Sequence, residues 1–494
     1  MMWCKQSLWW WVLSGVLLGM ALVLPLMWVL GIVGGGVFIW RSFEDRSRLA
    51  PLGGWLAWAI KYAFANCHML TTYPIEWLSV KVTTTAQILL IGFSWLTLSL
   101  WLGVGGLLAV IGIRVYQKQF QMLPRYWAVV ILPLVWVVSE IFGSFFFSLM
   151  MLGPGGDVNT TYGVGYSGYI LAEHAWLLQM ARVAGVYGLS ALFFVLAFIV
   201  WILKNKPKAA VGVLLLLFVT GFVGQPTPPT IEGDSYVVRI IDTQFDRVLL
   251  MTDEGKEEIH QKLSAGVAVA LEDDPDYLVL PEGANFLKHE YPLSRGAQQF
   301  WSNYPNSKTI LIDSGATEYR GQPVVEAAVL DPRDRSISIV DKRYLVPQGE
   351  FIPYFYSTLF SWFGSASFMS YVDNRIRLEV GPRTNQSTLP EASPGILLCF
   401  EVVAPTGVRT VLREKPQVPF VAHPISHQWF HEPVMWWHET DVMLKVQAMW
   451  NGIYITSSGN YVAGKTYAPN GAIVPMDTVV FGDGWVVKEV KIPR

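Results

Sequence analysis

Three stretches of the chain place a reactive side chain directly after an apolar run of the kind that forms a buried strand. Leu278-Val279-Leu280-Pro281-Glu282-Gly283 delivers a carboxylate into a turn. Ile337-Ser338-Ile339-Val340, continuing into Asp341-Lys342-Arg343-Tyr344, delivers an ammonium, and Ile396-Leu397-Leu398-Cys399-Phe400-Glu401 delivers a thiol. Strand ends are where α/β folds gather their sites. A thiol is mostly protonated at neutral pH, so a nearby carboxylate must accept its proton before it attacks an ester. An ammonium beside that pair can stabilise both the thiolate and the oxyanion of a tetrahedral intermediate. Together the three types describe cysteine-dependent acyl transfer. Singly they have plainer readings: Glu282 as a cap or surface turn, Lys342 as a solvated cation and Cys399 as a small core residue.

The elements that must position them lie in the second of two unlike halves. The chain has 494 residues, of which only 15% are charged, and its net charge of −2 gives no sign of a nucleic-acid partner. Long apolar runs fill residues 1–225, and from Glu232 onward charges appear at globular density. Between them Gly224-Gln225-Pro226-Thr227-Pro228-Pro229 cannot continue a helix, which predicts a stiff linker over 226–234. In 235–494, apolar or β-branched runs at Tyr236–Ile241, Tyr277–Leu280, Thr309–Ile312, Ala327–Leu330, Ile337–Val340, Gly395–Cys399 and Gly452–Thr456 predict strands. Asp253–Leu271 and Met435–Trp450 have helical spacing, so the expectation is an α/β domain with both sheet faces covered.

In the first half, Leu8–Trp40 is too long for one span and divides at Pro25. With Leu52–His68, Ile88–Val115, Trp127–Leu152, Val183–Leu203 and Ala209–Val223 it predicts a bundle of about seven transmembrane helices. Seven spans put Lys5, the group Arg41, Arg46 and Arg48, the group Arg114, Lys118 and Arg125, and the group Lys204, Lys206 and Lys208 on one side, the cytoplasm. The loops Thr71–Lys81 and Gly153–Arg182, and everything after Gln225, are then outside. Glu140 stands within a span, either as a functional group or as a helix-packing hydrogen bond, and Lys61 either snorkels or pairs. The three cysteines, Cys4, Cys67 and Cys399, build neither a disulfide framework nor a zinc cluster, and Cys4 and Cys67 read as inert.

In this order and at these strand ends the Glu, Lys and Cys segments resemble the nitrilase superfamily. The segment from Lys342 through Leu345-Val346-Pro347-Gln348-Gly349-Glu350 to Pro353 is similar in particular to the membrane branch of that superfamily, the apolipoprotein N-acyltransferases. Gly165-Tyr166-Ser167 and Gly185-Val186-Tyr187-Gly188-Leu189-Ser190 resemble segments of the same family. The resemblance implies an α-β-β-α sandwich after the bundle, a catalytic base at Glu282, a lysine at Lys342, a nucleophile at Cys399, and supporting positions at Glu350, Phe400 and Glu401. It implies a two-step reaction in the bacterial cytoplasmic (inner) membrane, with the catalytic domain on the extracytoplasmic side. Cys399 takes an acyl chain from a membrane phospholipid as a thioester and passes it to the α-amino group of a diacylglyceryl-cysteine at a lipoprotein N-terminus. No cofactor or metal is expected, and a monomer is.

The pattern also departs from the family. Ser426-His427-Gln428-Trp429-Phe430 stands where an Asn-Asp-Ala-Trp-Phe type segment is usual, and Val446-Gln447-Ala448-Met449-Trp450 where a helix usually carries Arg and Glu. Phe400 replaces a common Tyr, and the chain ends at Arg494 without a closing span, so its C-terminus is expected outside. His423, His427, His431 and His438 lack a His-Glu-x-x-His motif, and His431-Glu432 and His438-Glu439 only superficially resemble one. They are expected to line a cleft or to join Trp429, Trp436 and Trp437 in an exposed rim near the membrane. The departures leave two rivals: a membrane-anchored amidase in which water replaces the amine, and a non-catalytic scaffold.

Overall fold

A computed structural model describes residues 2–75, 83–119, 127–231, 233–246, 249, 252–289, 292–363, 377–431 and 434–494, with side chains from residue 8 onward. Lys81, Arg125, Glu232 and Glu432 lie outside the described residues, as do the side chains of Cys4 and Lys5.

The apolar runs fold as α1 (Met2–Val23), α2 (Trp28–Glu44), α3 (Ala50–Ala65), α4 (Thr84–Gln119), α5 (Ala128–Met150), the short α6 (Ala175–Leu178), α7 (Ala181–Ile202) and α8 (Pro207–Phe222). The first run breaks around Pro25, which cannot donate to the helix ladder. Among the described residues, three segments are long and apolar enough to cross a membrane, Thr84–Gln119, Ala128–Met150 and Ala181–Asn205, and Leu8–Val23 and Pro207–Phe222 are shorter apolar helices. Of the seven spans expected, three thus meet the criterion of length and composition among the described residues. Helix α3 packs between α1 and α4, α4 against α5, and α7 against α2 and α5. Where α3 meets α4 the backbones touch. A Cβ on Gly106 would sit 2.3 Å from the Gly54 carbonyl oxygen, so only glycine fits this crossing.

One end of the bundle is basic. Arg41 pairs with Asp45 at 2.9 Å, Arg114 binds the Ser47 carbonyl at 2.9 Å, and Lys204 pairs with Glu44, drawing the ends of α2, α4 and α7 together. At the other end the 3-10 helix Cys67–Thr72 and the chain leading into the 3-10 helix Ser167–Glu173 meet the second half of the chain, through His431 N to Thr71 O at 3.0 Å and Gly163 N to Val403 O at 2.9 Å.

That second half contains the strands β1 (Ser235–Thr243), β2 (Tyr277–Val279), β3 (Ile310–Tyr319), β4 (Gln322–Asp331), β5 (Ser336–Asp341), β6 (Gly395–Ile396), β7 (Val421–Ser426), β8 (Ile455–Asn460), β9 (Thr466–Tyr467), β10 (Ile473–Val474), β11 (Asp477–Phe481) and β12 (Trp485–Pro493). They form two ladders, β11-β12-β1-β2-β3-β4-β5 and β6-β7-β8-β9-β10, joined at the bridge between Thr243 and Asn460. The alternation of side chains along each strand builds the layers. Ile240, Val279, Ile312 and Val329 of the first ladder face Ile396 and Ala422 of the second. On its outer face, Ile241, Leu278, Leu311 and Leu330 pack on α9 (Asp253–Ala270) and α10 (Leu293–Asn303). Val421 and Ile455 point the other way, toward α12 (Gly407–Glu414) and α13 (Val434–Asn451), after α11 (Tyr354–Phe363) in chain order. The result is helices, sheet, sheet, helices. Helix α13 also packs against α1 and α7, so the inner helical layer is shared with the bundle.

Two strand boundaries differ from expectation. The run Gly395–Cys399 is a strand only to Ile396, because Cys399 turns the chain, and the run after α13 becomes β8 at Ile455 because Gly452, at φ +64, ends the helix first.

Inside the bundle Lys61 and Glu140 are paired at 3.2 Å, with side chains 0% and 1% exposed. The same carboxylate oxygen accepts from the backbone N and Oγ of Ser167, both at 2.7 Å, and the ammonium lies over the rings of Trp58 and Tyr62. Lys61 thus pairs rather than snorkels. Removing one partner of such a pair leaves an uncompensated buried charge, at a cost of about 3–5 kcal/mol. Glu140→Ala is expected to lower the thermal unfolding midpoint in detergent strongly, and the double change Lys61→Met with Glu140→Gln to lie much closer to the unaltered chain. Equal midpoints for the single and double variants would contradict this role.

Candidate active site

The three singled-out side chains converge because their strands run the same way. β2 is parallel to β1 and β3, and β5, antiparallel to β4, is parallel to β3 as well. β6, β7 and β8 are mutually parallel and β8 is parallel to β1. Glu282 follows β2, Lys342 follows β5 and Cys399 follows β6, so all three leave the carboxyl ends of strands on one edge of the sandwich.

Lys342 is the hub. Its ammonium is fully buried and lies 2.9 Å from Glu282 Oε1 and 2.7 Å from Glu350 Oε1. Burial alone would favour the neutral amine, but the Glu282 and Glu350 carboxylates outweigh it and hold the ammonium well above the usual lysine range. Glu350 spans a second contact, accepting the backbone N–H of Val346 at 2.7 Å, so the Val346–Glu350 turn and Lys342 share one carboxylate. Burial raises the Glu350 carboxyl, with Lys342 opposing.

Cys399 sits at φ +42, in the left-handed region, and opens the 3-10 helix Cys399–Val403. A non-glycine residue held there stores strain on the order of 1–3 kcal/mol, and the bend turns the side chain out of the strand. The thiol contacts the Ser426 carbonyl at 3.9 Å and lines the same cavity as the Glu282 carboxylate. Burial and then the charge of Glu282 push it well above the usual thiol range, with Lys342 pulling the other way. These surroundings favour the protonated thiol.

Glu401 fixes this elbow. One oxygen accepts Leu398 N at 2.7 Å and the other Arg343 N at 2.6 Å, tying the residue before Cys399 to the residue after Lys342. Arg343 is held in turn by both oxygens of Glu414, each at 2.8 Å. Phe400 is half-buried and lines the cavity described below, with its ring centroid 6.1 Å from that of Tyr162.

Sequence reasoning grouped His423 with the histidines of a cleft or rim and missed what it touches. It lies within β7, its Nε2 3.1 Å from the Cys399 carbonyl and its Nδ1 2.9 Å from Ser457 Oγ, and burial lowers its pKa to about 4. A neutral imidazole therefore braces the strained residue from beneath. The only signal was a histidine flanked by Val421, Ala422 and Ile425, and Pro424 hid the strand. Proline is tolerated because β6 pairs only Val421 and Ala422, leaving that edge open beyond. The four histidines do not share a helix face: His431 contacts the Pro74 carbonyl and His438 pairs with Glu173 at 2.8 Å. Trp436 is not part of an exposed rim. It is buried, stacked on His68 with centroids 4.2 Å apart.

The departures near the C-terminus have structural partners. Gln447 accepts Val408 N at 3.0 Å and donates to the Val402 carbonyl at 2.7 Å, joining α12 to the 3-10 helix of the nucleophile, and Trp450 packs against Gly185 of α7. Gln428 accepts from Asn460 at 3.1 Å.

Glu282, Lys342, Glu350 and Cys399 line a cavity of about 220 Å³, open on one side. Apolar side chains of the bundle also line it: Leu90, Ile91 and Leu98 of α4, and Phe147 of α5.

No family model matches the chain. It is 25% identical over 249 residues to the apolipoprotein N-acyltransferase of Allorhizobium ampelinum, covering 46% of this chain and 45% of that protein. It is 24% identical over 328 residues to the apolipoprotein N-acyltransferase of Agrobacterium fabrum, covering 62% of this chain and 59% of that protein. The chain thus spans about half the length of the curated relatives it matches. Among solved structures it matches a CN-hydrolase superfamily protein of Xanthomonas campestris with an arsenic adduct in its active site, at TM-score 0.34 and 10% identity, over 53% of this chain and 91% of that one. It also matches a glutamine-dependent NAD(+) synthetase from Cytophaga hutchinsonii at TM-score 0.34 and 8% identity, over 52% and 43%. The likeness to apolipoprotein N-acyltransferases read from the Glu282, Lys342 and Cys399 segments is thus a likeness of sequence at large.

Proposed function

We propose that this chain is a membrane-embedded acyltransferase that carries an acyl group from a phospholipid, through a thioester on Cys399, to the α-amino group of a diacylglyceryl-cysteine at a lipoprotein N-terminus. One observation carries the reading: a single cavity is lined by the thiol, carboxylate and ammonium and also by apolar side chains of α4 and α5. A water-soluble amide needs no such wall, whereas an acyl chain that stays in the bilayer does. The curated relatives bear the name of this activity.

In the first step Glu282 takes the thiol proton as sulfur attacks the ester carbonyl, and Lys342 stabilises the developing oxyanion. Collapse breaks the ester C–O bond, and Glu282 returns the proton to the departing alcohol of the lysophospholipid. In the second step the amine attacks the thioester, Glu282 takes a proton from nitrogen, the C–S bond breaks and the thiolate recovers that proton. Glu350 orients Lys342, and Glu401 holds the elbow. The helices of residues 1–225 form the membrane bundle, with its basic end in the cytoplasm. Residues 226–234 link it to the catalytic domain, 235–494, on the outer face of a bacterial cytoplasmic membrane.

Two measurements test this. Purified protein given phospholipid labelled in its acyl chain should acquire label at Cys399, lose it to a diacylated lipopeptide, and acquire none as Cys399→Ala. Absence of any acyl-enzyme would refute the reading, and discharge by water alone would make the protein a hydrolase.

The second measurement concerns the thiol. The charge of Glu282 raises its pKa and Lys342 lowers it. In a background with Cys4 and Cys67 changed to Ser, Glu282→Gln should move the pH dependence of Cys399 alkylation to lower pH, while acyl transfer falls by about 10²–10⁴-fold. An alkylation curve that stays put or moves upward would count against Glu282 as the base.

A further inference from the structure

The proposed chemistry leaves one polar surface of the cavity unused. His427 follows the carbonyl that the thiol faces and lines the cavity at 1% exposure, yet neither ring nitrogen has a hydrogen-bond partner among the described residues. Buried polar groups are almost always satisfied, so an imidazole left bare beside a nucleophile calls for a ligand. Its surroundings select one. The Trp436 and Phe430 rings stand 6.1 and 6.4 Å from it, and His68 stacks on Trp436. Behind His68, Glu439 is buried with both carboxyl oxygens unpartnered among the described residues, 3.8 Å from His68 Nδ1. The ionisable groups on the catalytic side are one ammonium, Lys342, and two carboxyls, Glu282 and Glu350. Aromatic faces and an excess of carboxyl groups favour an amine and disfavour a phosphate or carboxylate. Burial lowers the pKa of His427 to about 3, so the ring is neutral and one nitrogen offers a lone pair.

We infer that His427 is the hydrogen-bond acceptor of a primary-amine subsite in this cavity. The inference rests on the acyl-transfer reading and deepens it. Primary amines enter that reaction from two sources: the α-amino group of the acceptor, and the headgroup of an aminophospholipid donor. Either one, held at His427, lies one residue from the Ser426 carbonyl that marks the thiol's position.

The test separates the half-reactions in the full-length protein. His427→Leu, and His427→Phe, which keeps a ring but removes both nitrogens, are compared with His427→Gln, which restores a donor and an acceptor. Thioester formation is followed from labelled phosphatidylethanolamine and phosphatidylglycerol, and discharge by a diacylated lipopeptide and by hydroxylamine, which is too small to need a subsite. The expected result is a loss of about tenfold, the weight of one hydrogen bond, in a single amine-dependent step, with His427→Gln close to the unaltered protein and hydroxylamine discharge unchanged. A loss confined to lipopeptide discharge assigns the subsite to the acceptor, and one confined to phosphatidylethanolamine assigns it to the donor. Unchanged rates in both apolar variants, or equal losses with both donors and both nucleophiles, would overturn the inference alone. Failure of the unaltered protein to form any acyl-enzyme would overturn the acyl-transfer reading beneath it.

Discussion

A lysine ammonium with no water around it is the constraint on which the second half of the chain is organised. Such a charge is tolerable only if opposite charges reach it, and the Lys342 side chain is 0% exposed with carboxylate oxygens at 2.9 and 2.7 Å. Glu282 comes from the end of β2 and Glu350 from a turn eight residues along the chain, so satisfying one cation fixes the end of a strand and the shape of a loop together. Sheet direction makes this possible, since parallel strands deliver their following residues to one edge. The two carboxylates are not equivalent: Glu350 is engaged by both Lys342 and Val346 N, while Glu282 is bound to Lys342 and its charge raises the pKa of the buried Cys399 thiol.

What could be read from the sequence follows from how local each signal is. A charged residue directly after an apolar run marks a strand end without knowledge of the fold, and Glu282, Lys342 and Cys399 were visible for that reason. The helical runs were visible because composition dominates them. Glu401 was visible by resemblance, but its work was not: its partners Leu398 N and Arg343 N are backbone groups, and backbone contacts leave no residue-type signature. β11 and β12 were missed because they form an outer pair whose sequence mixes Val with Lys, Glu and Asp. Only Val487, Val490 and Ile492 are buried there, too sparse an alternation to separate from a loop. The shortening of β6 was illegible for a different reason. Leu397, Leu398 and Cys399 are good strand formers, and the turn at Cys399 is imposed by Glu401, His423 and the chain that follows.

The two halves are joined by shared surfaces rather than by the linker alone. Tyr356 of α11 is buried with its hydroxyl 2.6 Å from Thr97 Oγ1 of α4, and Trp101 of α4 meets Phe355 edge-on with centroids 4.9 Å apart. These contacts hold the apolar wall of the cavity against the loop that carries Glu350, so the distance from the nucleophile to the bundle is set by packing. A close-packed interface of aromatic side chains resists deformation. The bundle side of the cavity is therefore preformed.

Gln447 and Trp450 bear on the same point from the opposite side. Here a neutral amide makes two backbone hydrogen bonds, to Val408 and Val402, and Trp450 fills the space at Gly185, where a Cβ would come 2.3 Å from the indole. Hydrogen bonds to neutral groups are weaker than charge-assisted ones, but they add no ion to the surroundings of the buried Lys342, Glu282 and Glu350 cluster. The balance of charge at the site then rests on the groups that line the cavity themselves. The amide and the indole thus brace the 3-10 helix of Cys399 by neutral hydrogen bonding and packing alone.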